Sequence, residues 1–337
     1  MHLDTPYLLF LGAATDLLSV KIANAVVDWR PGLAVGELAL PGCTVTKGLD
    51  RLTLAEAQER GARTLVIALN NAGGYVDTQW IPVIIGALDA GLDVASGLHM
   101  KLGDIPEIRA KAMHNGRRLI DVRHCGEKLA TGTGARRTGR RLLTVGTDCS
   151  VGKMYTTLAV EKEMRSRDID ADFVATGQCG IMVSGQGIAI DCVVADFISG
   201  AVEQMASDND AGHWDLIEGQ GSLFHPAFAG VSLGLLHGAQ PDALVLCHAE
   251  GRPTMRGLPS YPVIDPGDAM DRNLEAARLT NVDARFVGIA VNTSGLPADD
   301  SRAVLKRYED RFGLPCVDPM RSGVATIVDY VTLSAEQ

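Results

Sequence analysis

Short apolar runs alternate with longer amphipathic stretches through most of the chain. Tyr7–Leu11 ends at Gly12 and is followed by an amphipathic stretch around Val20–Val27. Thr64–Leu69 ends at Asn70-Asn71-Ala72-Gly73-Gly74 and precedes Trp80–Ala90, and Asp93–Ser96 leads to the helical Asp104–Asn115. Brief apolar runs closed by glycine fit strands buried on both faces, and the amphipathic stretches fit the helices that cover them. Their alternation predicts an α/β fold with a parallel sheet, whose ligands bind at the carboxyl ends of the strands.

The pattern lapses between Cys125 and Arg141, a stretch with four arginines in its last six residues, Arg136, Arg137, Arg140 and Arg141. Residues 126–141 read as a basic, glycine-rich linker, either solvated or serving as an anion clamp. Alternation then resumes. Strands are expected at Leu142–Val145, Asp172–Thr176, Asp215–Ile217, Ala243–Cys247 and Phe286–Val291. Helices are expected at Lys153–Ser166, near Asp196–Ala206, at Asp268–Leu279 and near Gly323–Val331. The expected organisation is a Rossmann-like domain over 1–125, the linker, and a second α/β domain over 142–337. The first turn, Gly12-Ala13-Ala14-Thr15-Asp16, lacks G-x-G-x-x-G and argues against a nicotinamide cofactor.

The most informative segment is Gly146-Thr147-Asp148-Cys149-Ser150-Val151-Gly152-Lys153-Met154, set between an apolar strand and a helix. In a phosphate-binding loop the backbone N–H groups wrap the anion, the lysine reaches it, and a Ser or Thr after the lysine holds Mg²⁺. Here Met154 takes that last position, and a thioether is no ligand for a hard cation. Gly146, Thr147, Cys149, Ser150, Val151, Gly152, Lys153 and Met154 are candidate cofactor contacts, and Asp148 is a candidate for a direct role.

Composition narrows the partners. A net charge of −10 over 337 residues argues against nucleic acid and against an anionic membrane surface. No run of about 20 apolar residues occurs, and no signal segment is evident at the start, so the cytoplasm is the expected compartment. The seven cysteines show no CxxC pair and no zinc spacing, so reduced, mostly buried thiols and no metal are expected. A homodimer is the expected assembly.

Other polar groups lie in loops after strands. Glu218, in Trp214-Asp215-Leu216-Ile217-Glu218-Gly219-Gln220-Gly221, is placed to act as a base, a metal ligand or a structural carboxylate. His225 and His248 follow strands, as do the loops Gly177-Gln178-Cys179-Gly180 and His248-Ala249-Glu250-Gly251-Arg252. Arg252 is a candidate anion contact. Lys47 and Lys101 are either surface lysines or contacts for an acidic substrate. Cys149 and Cys179 have the chemistry of nucleophiles, but the sequence shows no base beside either.

Gly-Thr-Asp-x-x-x-Gly-Lys, with five residues between Gly146 and Gly152, resembles the loop of dethiobiotin synthetase and its relatives. The strand ending in Glu218-Gly219-Gln220-Gly221 is similar to their second motif. The strand Val287–Val291 ends in Asn292, where those enzymes place a base-contacting residue. Together with Glu218-Gly-Gln-Gly-Ser-Leu-Phe-His225-Pro, Ala90-Gly-Leu-Asp-Val-Ala-Ser-Gly-Leu-His99 and His248-Ala-Glu-Gly-Arg252, the chain resembles along nearly its full length the DgcN family of D-glutamate N-acetyltransferases, long catalogued as a domain of unknown function. The resemblance implies a P-loop, dethiobiotin synthetase-like second domain. It also implies transfer of acetyl from acetyl-CoA to the amine of D-glutamate, a chemistry that needs phosphate binding but no Mg²⁺ ligand at Met154.

On that reading Glu218 is the first candidate for general base and Asp148 the second. Lys47, Lys101, Arg252 and His225 are the candidate substrate contacts. The rival expectations are a Mg-ATP-dependent ligase or kinase, with Thr156, Thr157 or Glu218 at the metal, and a non-catalytic sensor of nucleotide or CoA.

Overall fold

A computed structural model describes residues 1–333 except Leu18, Ala72, Cys125 and Glu127. The chain divides into two compact units, Met1–Glu127 with Gly177–Cys192, and Lys128–Thr176 with Val193–Gln337. A continuous second domain over 142–337 did not anticipate the excursion at 177–192. The expected boundary at Cys125 lies outside the described residues.

In the first unit the elements are β1 (Tyr7–Phe10), α1 (Lys21–Trp29), β2 (Ala34–Leu38), α2 (Leu54–Glu59), β3 (Thr64–Ile67), α3 (Ile81–Asp89), β4 (Asp93–Ser96), α4 (Pro106–Asn115) and β5 (Leu119–Asp121). All pairings are parallel, in the doubly wound order β2-β1-β3-β4-β5. β1 and β3 are buried at every position, which is why they read as apolar runs. β2 escapes such a reading because it carries Gly36, whose Cβ would lie 2.4 Å from Leu52 Cδ1, and the buried Glu37, which pairs with Arg51. The helix Gln178–Ser184 belongs to this unit, where Leu3 N–H donates to Gly185 O at 2.7 Å. The glycine-flanked residues 177–180 are therefore not a loop at the edge of the second sheet.

The second unit contains β6 (Arg140–Gly146), α5 (Lys153–Ser166) and β7 (Ala171–Val174). After α6, the Gln178–Ser184 helix of the first unit, come α7 (Ile198–Met205), β8 (Trp214–Ile217), α8 (Ala229–Ala239) and β9 (Ala243–Ala249). A hairpin of β10 (Thr254–Met255) and β11 (Leu258–Pro262) follows, then α9 (Pro266–Ala277), β12 (Arg285–Asn292), α10 (Ala298–Phe312), β13 (Cys316–Val317) and α11 (Ala325–Leu333). The main sheet is parallel throughout, in the order β13-β12-β9-β6-β8-β7. β9 is buried at all of its positions. Leu142, Leu216, Val245 and Val287 pack with Val160 and Met164 of α5 and with Ile327, Val328 and Val331 of α11. α8 is hard to see in the sequence because its three glycines weaken helix propensity. Two of them serve a close crossing with α7, since a Cβ at Gly238 would lie 2.4 Å from Ser199 O and one at Gly234 would lie 2.8 Å from Ile198 Cγ2.

The basic stretch before β6 is largely exposed yet tied down to the second unit, and its best-anchored arginine is not an anion clamp. Arg137 is turned into the unit and donates to Ala206 O at the end of α7, to Gly238 O at 2.6 Å and to Ala239 O at 3.2 Å at the end of α8. Carbonyls at helix ends lack helical partners and carry negative dipole charge, so a guanidinium satisfies both needs. Arg137→Ala is expected to cost about 2–3 kcal/mol, because charged hydrogen bonds are lost and buried carbonyls are left unpaired. Chemical denaturation of the variant checks this, and an unchanged midpoint would return the segment to a mere tether.

Among the described residues no helix is long and apolar enough to cross a membrane. The described cysteines are free thiols, but only Cys247 is buried and Cys192 is exposed, so the expectation of mostly buried thiols does not hold.

Candidate active site

The carboxyl end of β6 runs into the glycine-bounded loop. Gly152 adopts φ +103°, open to glycine and costly for other residues, and the non-glycine Ser150 sits at φ +52°. Two arginines hold that strained turn. Arg252 Nη2 donates to Ser150 O at 3.0 Å, and an Arg256 guanidinium N–H donates to Ser150 Oγ. α5 starts at Lys153, so the N–H groups of its first turn have no helical acceptor. Among the described residues those of Val151, Gly152, Lys153 and Met154 meet no acceptor at all, which makes the loop an anion cradle.

Lys153 is buried, and its ammonium donates to Asp148 O at 2.9 Å and Gly221 O at 2.7 Å. Burial pulls its pKa down. The loop after β8 is sewn to the same place: Gly219 N–H donates to Thr144 Oγ1 at 3.0 Å and Ser222 Oγ to Gly146 O at 2.9 Å.

Asp148, expected as an alternative base, is fully buried with both oxygens engaged. Oδ1 accepts from Cys149 N–H at 2.6 Å, and Oδ2 accepts from Arg252 Nη1 and Arg256 N–H, both at 2.8 Å. A carboxylate so occupied holds the loop together and is a poor proton acceptor. Arg252, expected to pair with substrate, spends its donors on the loop: Asp148, Cys149 O at 2.8 Å and Ser150 O. Glu218 is buried just beyond β8, and its Oε2 accepts from Thr176 N–H at 3.0 Å.

His225 is buried, stacks on Phe228, and places Nε2 3.2 Å from Arg256 O. Lys47 and Lys101 are side chains of the first unit. Lys47 Nζ lies 3.7 Å from Asp28 Oδ1, and Lys101 is exposed.

Arg256, which no local motif marks, fixes both Asp148 and Ser150. Its hairpin has a two-residue strand on one side and a proline-bearing one on the other, too little for an alternation signal. His248 has no partner evident in the sequence. In the structure its Nδ1 is 3.0 Å from Thr147 Oγ1 and its Nε2 is 3.8 Å from Glu250, which is held in turn by Tyr308 and Arg307. Burial lowers the His248 pKa, favouring the neutral ring.

The donor set does not suit Mg²⁺. Thr156 Oγ1 donates to Gly152 O at 3.0 Å and Thr157 Oγ1 to Lys153 O at 2.9 Å, so both hydroxyls turn back onto the helix and Met154 offers none. One mixed cluster stands out among the described residues: a donor atom from each of Asp148, Cys149 and His225 lies within 4.8 Å of the other two.

Comparison with known proteins agrees with this architecture. Residues 128–328 match a family described as a domain of unknown function, DUF1611_C, a P-loop domain. Residues 38–125 match its DUF1611_N counterpart, a Rossmann-like domain. A D-glutamate N-acetyltransferase from Pseudoalteromonas sp is 53% identical over 330 residues, covering 97% of this chain and 99% of the relative. One from Tritonibacter scottomollicae is 50% identical, covering 97% and 98%. The crystal structure of a DUF1611 family protein from Anabaena variabilis aligns with a TM-score of 0.85 at 30% identity, covering 98% of this chain and all of that one. With a Rossmann-like unit followed by a P-loop unit, and with relatives matched from end to end, the chain belongs to the DUF1611 family.

Proposed function

We propose that this protein is an N-acetyltransferase that acetylates the amine of D-glutamate with acetyl-CoA as donor. The observation that carries the proposal is the similarity, at 50–53% identity over nearly the whole chain, to two proteins named for that acceptor and that group. The site supports it from a second direction. An anion cradle with a buried lysine suits an anionic donor, whereas phosphoryl transfer would call for the Mg²⁺ ligand that Met154, Thr156 and Thr157 do not supply. Glu218, at the carboxyl edge of the sheet, is the proposed acceptor of the proton that the substrate ammonium must lose before attack.

The test is release of free thiol from acetyl-CoA with D-glutamate, L-glutamate and neutral D-amino acids. Release with D-glutamate above the others, and appearance of the N-acetyl product, is the expected result. No release with any acceptor, alongside acceptor-dependent ADP formation from ATP, would replace the proposal with a ligase. Met154→Thr sharpens the distinction: it is expected to leave acetylation within about 3-fold and to create no ATP hydrolysis, since no metal-dependent step exists for the new hydroxyl to serve. A rise in ATP turnover would point to the ligase.

A further inference from the structure

Cys149 stands at the head of the anion cradle, partly exposed, and the structure supplies what its sequence context lacks, a nearby base. His225, 76 residues later in the chain, brings a ring nitrogen within 4.8 Å of Cys149 Sγ and of an Asp148 carboxylate oxygen. Resting on the acetyltransferase reading, we propose that acetyl transfer is covalent, with Cys149 as nucleophile, His225 as its proton acceptor, and Asp148 as the buried charge that stabilises the imidazolium.

The local chemistry fits a nucleophile better than a metal. Burial, and the Asp148 charge beside it, push the Cys149 thiol up while Lys153, Arg256 and Arg252 pull it down, so at rest it is a thiol that needs a base and, once deprotonated, faces cations. A divalent metal would meet those same three cations, at a carboxylate both of whose oxygens already accept hydrogen bonds. In the first half-reaction His225 takes the Sγ proton and the thiolate attacks the acetyl carbonyl carbon. A new C–S bond forms on Cys149 as the bond to CoA breaks, and the CoA thiolate leaves with the proton from His225. In the second half-reaction the substrate amine, having lost one proton to Glu218, attacks the acetyl-cysteine carbonyl. A C–N bond forms, Cys149 departs as thiolate, and the amine proton returns to it through His225. No electrons are gained or lost. Exchange of one thioester for another is near balance, and formation of the amide drives the cycle forward.

His225 holds the ring for this role. Its Nδ1 accepts from Ala227 N–H across a long 3.3 Å contact, which leaves that lone pair weakly engaged, and its Nε2 lies 3.2 Å from Arg256 O.

The experiment is to mix the intact protein with acetyl-CoA alone, quench in acid and measure its mass. The expected result is a gain of one acetyl group on the peptide bearing Cys149, lost on adding D-glutamate with formation of the N-acetyl product. Parallel lines are expected in double-reciprocal plots at varied D-glutamate. Cys149→Ala is expected to lose both adduct and turnover. His225→Gln is expected to slow adduct formation about 100-fold, less at high pH where the thiol ionises unaided. Circular dichroism and melting of both variants separate this from misfolding. Wild-type turnover with no adduct and intersecting lines overturns the covalent route and leaves the acetyltransferase reading standing, as does full turnover by Cys149→Ala. Stoichiometric zinc at the cluster, removed by chelation together with activity, also overturns it. Absence of thiol release with every acceptor sinks both readings.

Discussion

Lys153→Ala is expected to lower acetylation by about 100-fold or more while leaving the fold nearly intact. The two effects separate because of how the lysine is held. Its ammonium is buried where desolvation opposes the charge, so the native state carries that cost in exchange for two hydrogen bonds, to Asp148 O and Gly221 O. Truncation relieves the buried charge but leaves two carbonyls unpaired, opposing terms of about 1–3 kcal/mol each that largely cancel. What has no substitute is a preorganised cation beside four unpaired N–H groups. Thiol-release kinetics and a melting curve on the same sample check this. A large fall in melting temperature with normal turnover of the folded fraction would make Lys153 a structural strut instead.

Gly219→Ala is expected to be the most damaging single-methyl change in the second unit, costing about 3 kcal/mol or more and lowering the melting temperature by roughly 10 °C. A Cβ at this position would lie 1.7 Å from Thr144 O and 2.8 Å from Thr144 C, which are backbone atoms of the neighbouring strand and cannot rotate away. The loop after β8 would have to lift off β6. That would break the Gly219 N–H to Thr144 Oγ1 bond and shift Gly221 O from Lys153, so activity is expected to fall with stability. Gly152→Ala is the informative comparison. Nothing lies within 4 Å of its would-be Cβ, and only its φ of +103° opposes a side chain, so a smaller cost of about 1–2 kcal/mol is expected. Equal melting temperatures for the two variants would mean that conformation and not crowding governs both sites.

Much of the architecture is legible from local pattern. β4 and α5 begin and end where the apolar and amphipathic stretches do, and the strand ending in Gly146 and the one that leads into Glu218 are evident as runs buried on both faces. Elements with interrupted patterns are not. β2 contains a glycine and a buried glutamate, α8 contains three glycines, and α10 buries only Ser301, Val304 and Tyr308 along its length. Each is fixed by neighbours distant in sequence, such as Leu52 against Gly36 and Ser199 against Gly238.

The candidate site divides in the same way. The sequence alone determined the loop, its lysine, the absence of a metal-binding hydroxyl at Met154 and the acid at the end of the next strand, because backbone conformation and residue chemistry are local properties. Tertiary structure alone decided what each side chain is free to do. Arg252 and Asp148 read as separate candidates for substrate and proton, yet they pair with each other across 2.8 Å. The segment 126–141 reads as a tether, yet Arg137 caps two helices. Cys149 reads as a thiol with no base, yet the fold brings His225 to it. Charge pairing and proton transfer depend on distances of a few ångströms, and those are set by which strands lie side by side and not by the order of residues along the chain.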